Sequence, residues 1–162
     1  MHHSRRASPT YKTIKPGVEV ILFVRLAQRH RSINSAIELH DSEITSIVDH
    51  DGTIVLELAS YLHQSPGRPG IDPGTGWTQN VRLTFLNATL RSNLGRLPDT
   101  ILDGRLALSD ELFENVFSVP STHVGSTCLQ IELANEISLT IRSHGFQAEC
   151  VDVPTYVEQF NP

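Results

Sequence analysis

The chain has 162 residues, with 13 Lys/Arg against 18 Asp/Glu for a formal charge of −5, and is 39% hydrophobic and 19% charged. That is the size of one ordinary domain able to bury a real core, and the composition suits a globular protein rather than a disordered chain. Two cysteines, Cys128 and Cys150, are too few for a disulfide framework, and the most apolar run (residues 18–24) is far shorter than a bilayer span.

The charge is unevenly spread. Seven of the 13 basic residues and only one acid lie in residues 1–34, leaving six basic and 17 acidic residues, and no lysine, for the remainder. The sequence therefore divides into a basic, partly disordered leader (1–34, with a possible edge strand at 18–26) and a single acidic domain (35–162). The leader lacks the apolar stretch of a secretory signal, and a cytoplasmic protein with reduced thiols is expected. A basic arm can bind nucleic acid, but this one lacks interleaved aromatics and the acidic body would repel phosphate, so a nucleic-acid partner is disfavoured.

From Ser42 the apolar period is two. A three-residue loop of His50, Asp51 and Gly52 sets Val48 opposite Ile54 and gathers Ile44, Val48, Ile54, Leu56 and Leu58 on one face. The same register puts His40 opposite Leu62, with the apolar set, and Asp41 opposite Tyr61, on the face of His63. The next stretch, "HQSPGRPGIDPGTGW" (63–77), holds four glycines and three prolines in fifteen residues. Long loops in compact domains serve function or are disordered, and three prolines argue for a rigid Ω-like loop. Asp72 can bond forward to the backbone, Gly74 can supply a positive φ, and Tyr61 and Trp77 can pin the two ends. Arg68 either pairs with Asp72 or is presented to an anionic ligand; both readings are open.

Strands follow at 77–85, 88–93 and 100–108, the first with Trp77, Gln79, Val81, Leu83 and Phe85 on one side. "SDELFENVF" (109–117) has a capping serine, early acids and a stripe of Leu112, Phe113, Val116 and Phe117, which predicts a two-turn helix, with an irregular strand as the alternative. A second hairpin turns at Ala134, Asn135 and Glu136, pairing Leu133 with Ile137, Ile131 with Leu139 and Leu129 with Ile141; of Asn135 and Glu136, asparagine tolerates a positive φ better. A last strand is expected at 146–153, ending before Pro154. The fold class is all-β: an antiparallel β-sandwich or open β-barrel of about eight strands with at most one short helix.

No catalytic signature is present. There is no His-x-His, His-Glu-x-x-His or Cys-x-x-Cys for a metal, no Gly-x-Ser-x-Gly elbow, and "DPGTG" lacks the Lys of a phosphate loop and precedes a strand. No cofactor is expected. His40 at a barrel end suits either a general base or a structural hydrogen bond. A metal or hydrolytic site assembled from His40, His63 and His123 is the enzyme alternative. "LHDSEI" (39–44) leading into a hairpin, with "GRPGIDPGTGW" leading into the next strand, resembles small uncharacterised bacterial all-β proteins; some domains with such a His-Asp opening are similar to immunity proteins. The resemblance spans residues 37–85 and implies a bacterial cytosolic protein, with no catalytic residue carried over. The sequence thus points to a non-catalytic binding module for a protein or small anionic ligand, with His63, Arg68, Asp72 and Trp77 as the recognition set and Tyr61, His40 and Asp41 beside them.

Overall fold

A computed structural model describes residues 33–92 and 96–161. Residues 1–32 of the leader, with its possible edge strand at 18–26, and Asn93 of the expected strand 88–93 lie outside the described residues. The strands are β1 (Asn34–His50), β2 (Thr53–Ser65), β3 (Gly74–Leu86), β4 (Thr89–Ser92), β5 (Asp99–Leu108), β6 (Glu111–Glu114), β7 (Val116–Ser118), β8 (Ser121–Leu133), β9 (Ser138–Cys150) and β10 (Thr155–Phe160). They form one sheet in the order β10-β3-β2-β1-β5-β8-β9-β4, with β6 on β5 and β7 on β1. A ladder from Val81↔Cys150 to Leu86↔Gly145 joins β3 to β9. Strands β3-β2-β1-β5-β8-β9 therefore close into an antiparallel barrel, and no helix occurs among the described residues. The all-β expectation holds in its barrel form, and closure removes most of the exposed sheet edge.

Alternation builds the wall. Along β2, Ile54, Leu56, Leu58 and Leu62 are fully buried, while their odd-numbered neighbours Val55, Glu57, Ala59 and Tyr61 are half-buried on the other face. Val81, Leu83 and Phe85 of β3 and Leu129, Ile131, Leu139 and Ile141 of the β8–β9 pair fill the same interior. Phe85 and Phe117 flank Phe146, with ring centroids 5.3 and 6.0 Å away. Each such aliphatic side chain contributes roughly 1.5–3 kcal/mol by leaving water. The β8–β9 register is the expected one, Leu129↔Ile141 and Ile131↔Leu139, closed by Leu133 N–H donating to the Ile137 carbonyl at 2.9 Å. Glu136 rather than Asn135 takes the positive φ, 65°, because the Asn135 Oδ1 accepts the Ile137 N–H at 3.1 Å.

Four expectations are corrected. The first turn is the two-residue Asp51-Gly52, with φ of 50° and 75°, so His50 pairs with Thr53 and Val48 turns outward at 55% exposure. Two positive φ values give the twist a tight hairpin needs, which a three-residue loop here would lack. A register shift between Ile44 and Ser46 then restores Ile44↔Leu58 and returns Ile44 to the core. Second, "SDELFENVF" is not a helix. Ser109, at φ 54°, turns β5 into β6, which pairs Leu106↔Phe113; Asn115, at φ 56°, breaks β6 from β7, which pairs Ile37↔Phe117. Nine residues make a marginal helix, and two strand neighbours offered a complete ladder instead.

Third, residues 146–150 finish β9 rather than start a strand, and the last strand is β10, beyond Pro154. Both β9 and β10 run antiparallel to β3, against Val81–Leu86 and Gly74–Thr78 respectively. The chain thus keeps one line, interrupted at 151–154, where Asp152 binds the Asn80 N–H (2.9 Å) and side-chain amide (2.6 Å). Fourth, β2 and β3 stay paired as far as Gln64↔Thr75, so the expected 63–77 loop shrinks to residues 66–73.

Candidate functional site

At the end of the barrel where β2 gives way to β3, the outer sheet face carries an unusual set of polar side chains. The ladders place Ala36 opposite His63 and Glu38 opposite Tyr61 on one side of β2, and Gly76 opposite His63 on the other; β10 adds Glu158 beside Gly76 and Phe160 beside Gly74. Strand period two puts all of these on one face. Glycines make the face possible: a Cβ on Gly74 would stand 2.6 Å from His63 Nε2, and one on Gly76 would run into the Tyr61 ring and hydroxyl. Gly74 therefore supplies room inside a strand, and the positive φ of the loop, 80°, belongs to Gly70.

Residues 66–73 fold back over this face. Ser65, nearly fully buried, joins both ends by donating from Oγ to the Pro73 carbonyl (2.9 Å) and accepting the Gly67 N–H (3.1 Å). The Asp72 carboxylate reaches back rather than forward, accepting the Arg68 N–H at 2.6 Å and the Arg68 Nε at 3.4 Å. These bonds, the backbone one first, hold the Asp72 carboxyl below its usual value of 3.8. The Asp72 N–H donates to the Arg68 carbonyl at 2.9 Å, and the Asn34 side-chain amide fastens the Gly67 carbonyl at 2.7 Å. The central tether is the Gly70 N–H, which donates to His63 Nδ1.

His63 lies beneath, with 0% exposure. Because Nδ1 accepts, the ring is the neutral Nε2–H form, and Nε2 has no hydrogen-bond partner among the described residues. Gly74 and the ring of Phe160, edge-on with centroids 4.2 Å apart, enclose it. Burial pushes the imidazole below its ordinary value. Glu38, its side chain 14% exposed, brings Oε1 to 3.8 Å from His63 Nδ1, and burial raises its carboxyl against the opposing charge of His40. Tyr61 donates its hydroxyl to Glu158 Oε1 at 3.0 Å, and burial, that bond and the surrounding carboxylates push it up to about 12.

The expected site residues do not form one patch. His63, Tyr61, Arg68 and Asp72 share this end. Trp77 faces the other way: its indole packs against the core, donates to Thr75 Oγ1 at 2.7 Å and meets Tyr156 edge-on at 5.3 Å. The expected register of His40 and Asp41 is corrected by a wide bulge. Residues 39–42 of β1 span the step from Tyr61 to Ala59, so Ile37, not His40, opposes Leu62, and Glu38, not Asp41, opposes Tyr61. The bulge swings Leu39 into the core against Gly104, and its N–H donates to the Asn115 carbonyl at 2.7 Å. It throws out His40 and Asp41, which pair with each other at 3.1 Å. Asp41 still reaches Tyr61, as both line a groove of about 340 Å³ with Thr78, Asn80 and Asp152.

His40, His63 and His123 do not converge. His123 sits on β8, bonded to Ser109 Oγ at 3.1 Å, and His63 is shut beneath the loop. Among the described residues, Glu38, His40 and Asp41 are the one trio of potential metal ligands whose donor atoms all lie within 4.8 Å of one another. Two of those already pair together and the third faces His63.

On the loop's outer side, Arg68 is 73% exposed. Only its Nε touches Asp72, so the two terminal nitrogens have no partner among the described residues. Arg68 lines a groove of about 390 Å³ between the loop and the β7–β8 turn, together with Ile33, Asn34, Ser35 and Pro120, and the Ser35 Oγ is buried without a partner among the described residues. Sequence reasoning missed Glu38, Gly70, Asn34, Glu158 and Phe160. Strand alternation could have reached Glu38 only if the bulge were known. Comparison with protein-family models, with curated proteins and with solved structures finds no match.

Proposed function

We propose that the protein is a cytoplasmic, non-catalytic binding module that takes a small anionic ligand, or an acidic group on a protein, at Arg68. One observation carries the reading: a solvent-facing guanidinium whose two terminal nitrogens have no partner among the described residues sits on a loop tied down along its length. A cation on a loop already ordered loses little conformational freedom on binding, and a planar fork suits a carboxylate or phosphate. The groove beside it is lined by Ile33 and Pro120, which offer apolar contact, and by Ser118, which offers a hydroxyl. Asp72 orients the Arg68 side chain and offsets part of its charge, so the site selects by geometry more than by long-range attraction.

Titration of the folded protein with inorganic phosphate and with citrate, followed by amide chemical shifts, tests this. Shifts clustered at the amides of residues 33–35, 67–68 and 118–119 that vanish in Arg68→Ala are the expected result. No clustered shift with either anion, or equal shifts in the variant, would remove the reading.

A further inference from the structure

The seat of the loop carries a second inference, one that stands whatever the loop binds. His63 is buried, the Glu38 carboxylate stands 3.8 Å from it, and it supplies the acceptor that holds Gly70. We propose that His63 is a protonation latch: the neutral ring fastens residues 66–73 at Gly70, and the charged ring turns to Glu38 and lets the loop go.

The chemistry follows from one proton taken from solvent. Neutral His63 accepts the Gly70 N–H at Nδ1 and carries its own hydrogen on Nε2. Protonation at Nδ1 converts that acceptor to a donor, so two N–H groups face each other and the tether is lost. The same hydrogen then has an acceptor within a small side-chain movement, because Glu38 Oε1 stands 3.8 Å away. Closed and open loops thus exchange one hydrogen bond for one ion pair in a poorly solvated place, where both are strong.

The groups facing the imidazole set the threshold. From β1, the carboxylate of Glu38 favours the charged ring. Along β2, Tyr61 is held by Glu158 of β10 and adds no positive charge. From the loop, Arg68 and Asp72 are engaged with each other. Gly74 and Gly76 of β3, Phe160 of β10, and Val116 of β7 beneath Gly70 are uncharged, and they exclude water. Burial opposes ionisation and outweighs the carboxylate, so the latch opens below the ordinary histidine value of 6.5. The remaining loop bonds, through Ser65, Asp72 and Asn34, do not involve His63, which confines the opening to the middle of the loop.

An NMR titration of the full chain from about pH 7.5 to about pH 4.5 follows the His63 ring and the Gly70 amide together. The expected result is loss of Gly70 exchange protection by about tenfold, corrected for the intrinsic rate, with the same midpoint as the ring, since one hydrogen bond is at stake. The amides of Leu56 and Leu83 should stay protected throughout. In His63→Asn, whose Oδ1 can accept the Gly70 N–H without ever becoming charged, Gly70 should remain protected at every pH. Glu38→Gln should move the midpoint lower by removing the ion pair. A ring that titrates while Gly70 keeps its protection overturns the latch. So does a ring that stays neutral across the range, or a loss of Leu56 protection at the same midpoint, which marks global unfolding. If His63→Asn fails to fold, coincidence of the two wild-type midpoints decides by itself.

Discussion

The two ends of the β2–β3 hairpin are built from opposite materials. At the Asp51-Gly52 end, Ile54, Leu56, Leu83 and Phe85 face inward, β9 closes the wall, and buried apolar area does the stabilising. At the loop end, the outer face hides an imidazole and a carboxylate under eight loop residues, held by hydrogen bonds to Ser65, Asp72 and His63. The first end uses forces indifferent to pH and tolerant of small shifts in geometry. The second depends on donors, acceptors and protonation states, so it can be altered by solution conditions without unfolding the barrel. Binding groups concentrate there for the same reason: a loop fastened by directional bonds can hold Arg68 out to solvent while the barrel beneath stays rigid.

Substitutions at each end separate the two kinds of support. The largest stability effect belongs to the apolar end: Leu83→Ala, at a fully buried position, should lose about 2–5 kcal/mol in denaturant unfolding through lost burial and a cavity. Gly74→Ala comes next. The added methyl group meets the Gln64 carbonyl and His63 Nε2, and a loss of about 1–3 kcal/mol is expected, with disturbance of the His63 and Gly70 signals. An unaltered midpoint in that variant would mean that the glycine is not needed for close approach.

The pH dependence is smaller and has a definite sign. His63 has a folded-state value lowered from 6.5, so its contribution is present above 6.5 and is lost as pH falls below it toward the folded value. Glu38 is raised from 4.5 and acts oppositely: its contribution is present below 4.5 and is lost as pH rises through the folded value. As pH falls from 6.5 the His63 contribution should therefore decline while that of Glu38 grows through its own raised value, so His63→Asn should remove the His63 decline and keep the Glu38 gain; equal curves for the two proteins would contradict the assignment. The smallest effect is Arg68→Ala, expected to leave stability within about 0.5 kcal/mol because the pair with Asp72 is exposed, while anion-induced shifts disappear.

The alternation of Leu129 to Ile141 carried its own register, because both strands bury the same single face and any slip would turn it outward. The first hairpin was harder to read. Its one-residue error at Asp51-Gly52 and the bulge at 39–42 follow from backbone angles and from packing of Leu39 against Gly104, neither of which is a periodic feature. That bulge explains why His40 and Asp41 were misplaced while Tyr61 and His63, on the regular partner strand, fell on one face as expected. The Arg68–Asp72 pair was readable as a local option because four residues separate the partners. The glycines of "PGTG" suggested a turn by composition alone. Their use as space for Tyr61 and His63 depends on which rings cross the strand, a fact of three dimensions.

A presented Arg68 and a latched Gly70 both need a loop that holds its shape at neutral pH. Backbone ¹⁵N relaxation of residues 67–72 at about pH 7.5 measures this directly. Order parameters near the rigid-backbone value of about 0.85, matching those of β2 and β3, are expected. Values below about 0.6 for Arg68 and Gly70 would contradict it, because a loop moving that freely neither presents a fixed cation nor needs a latch.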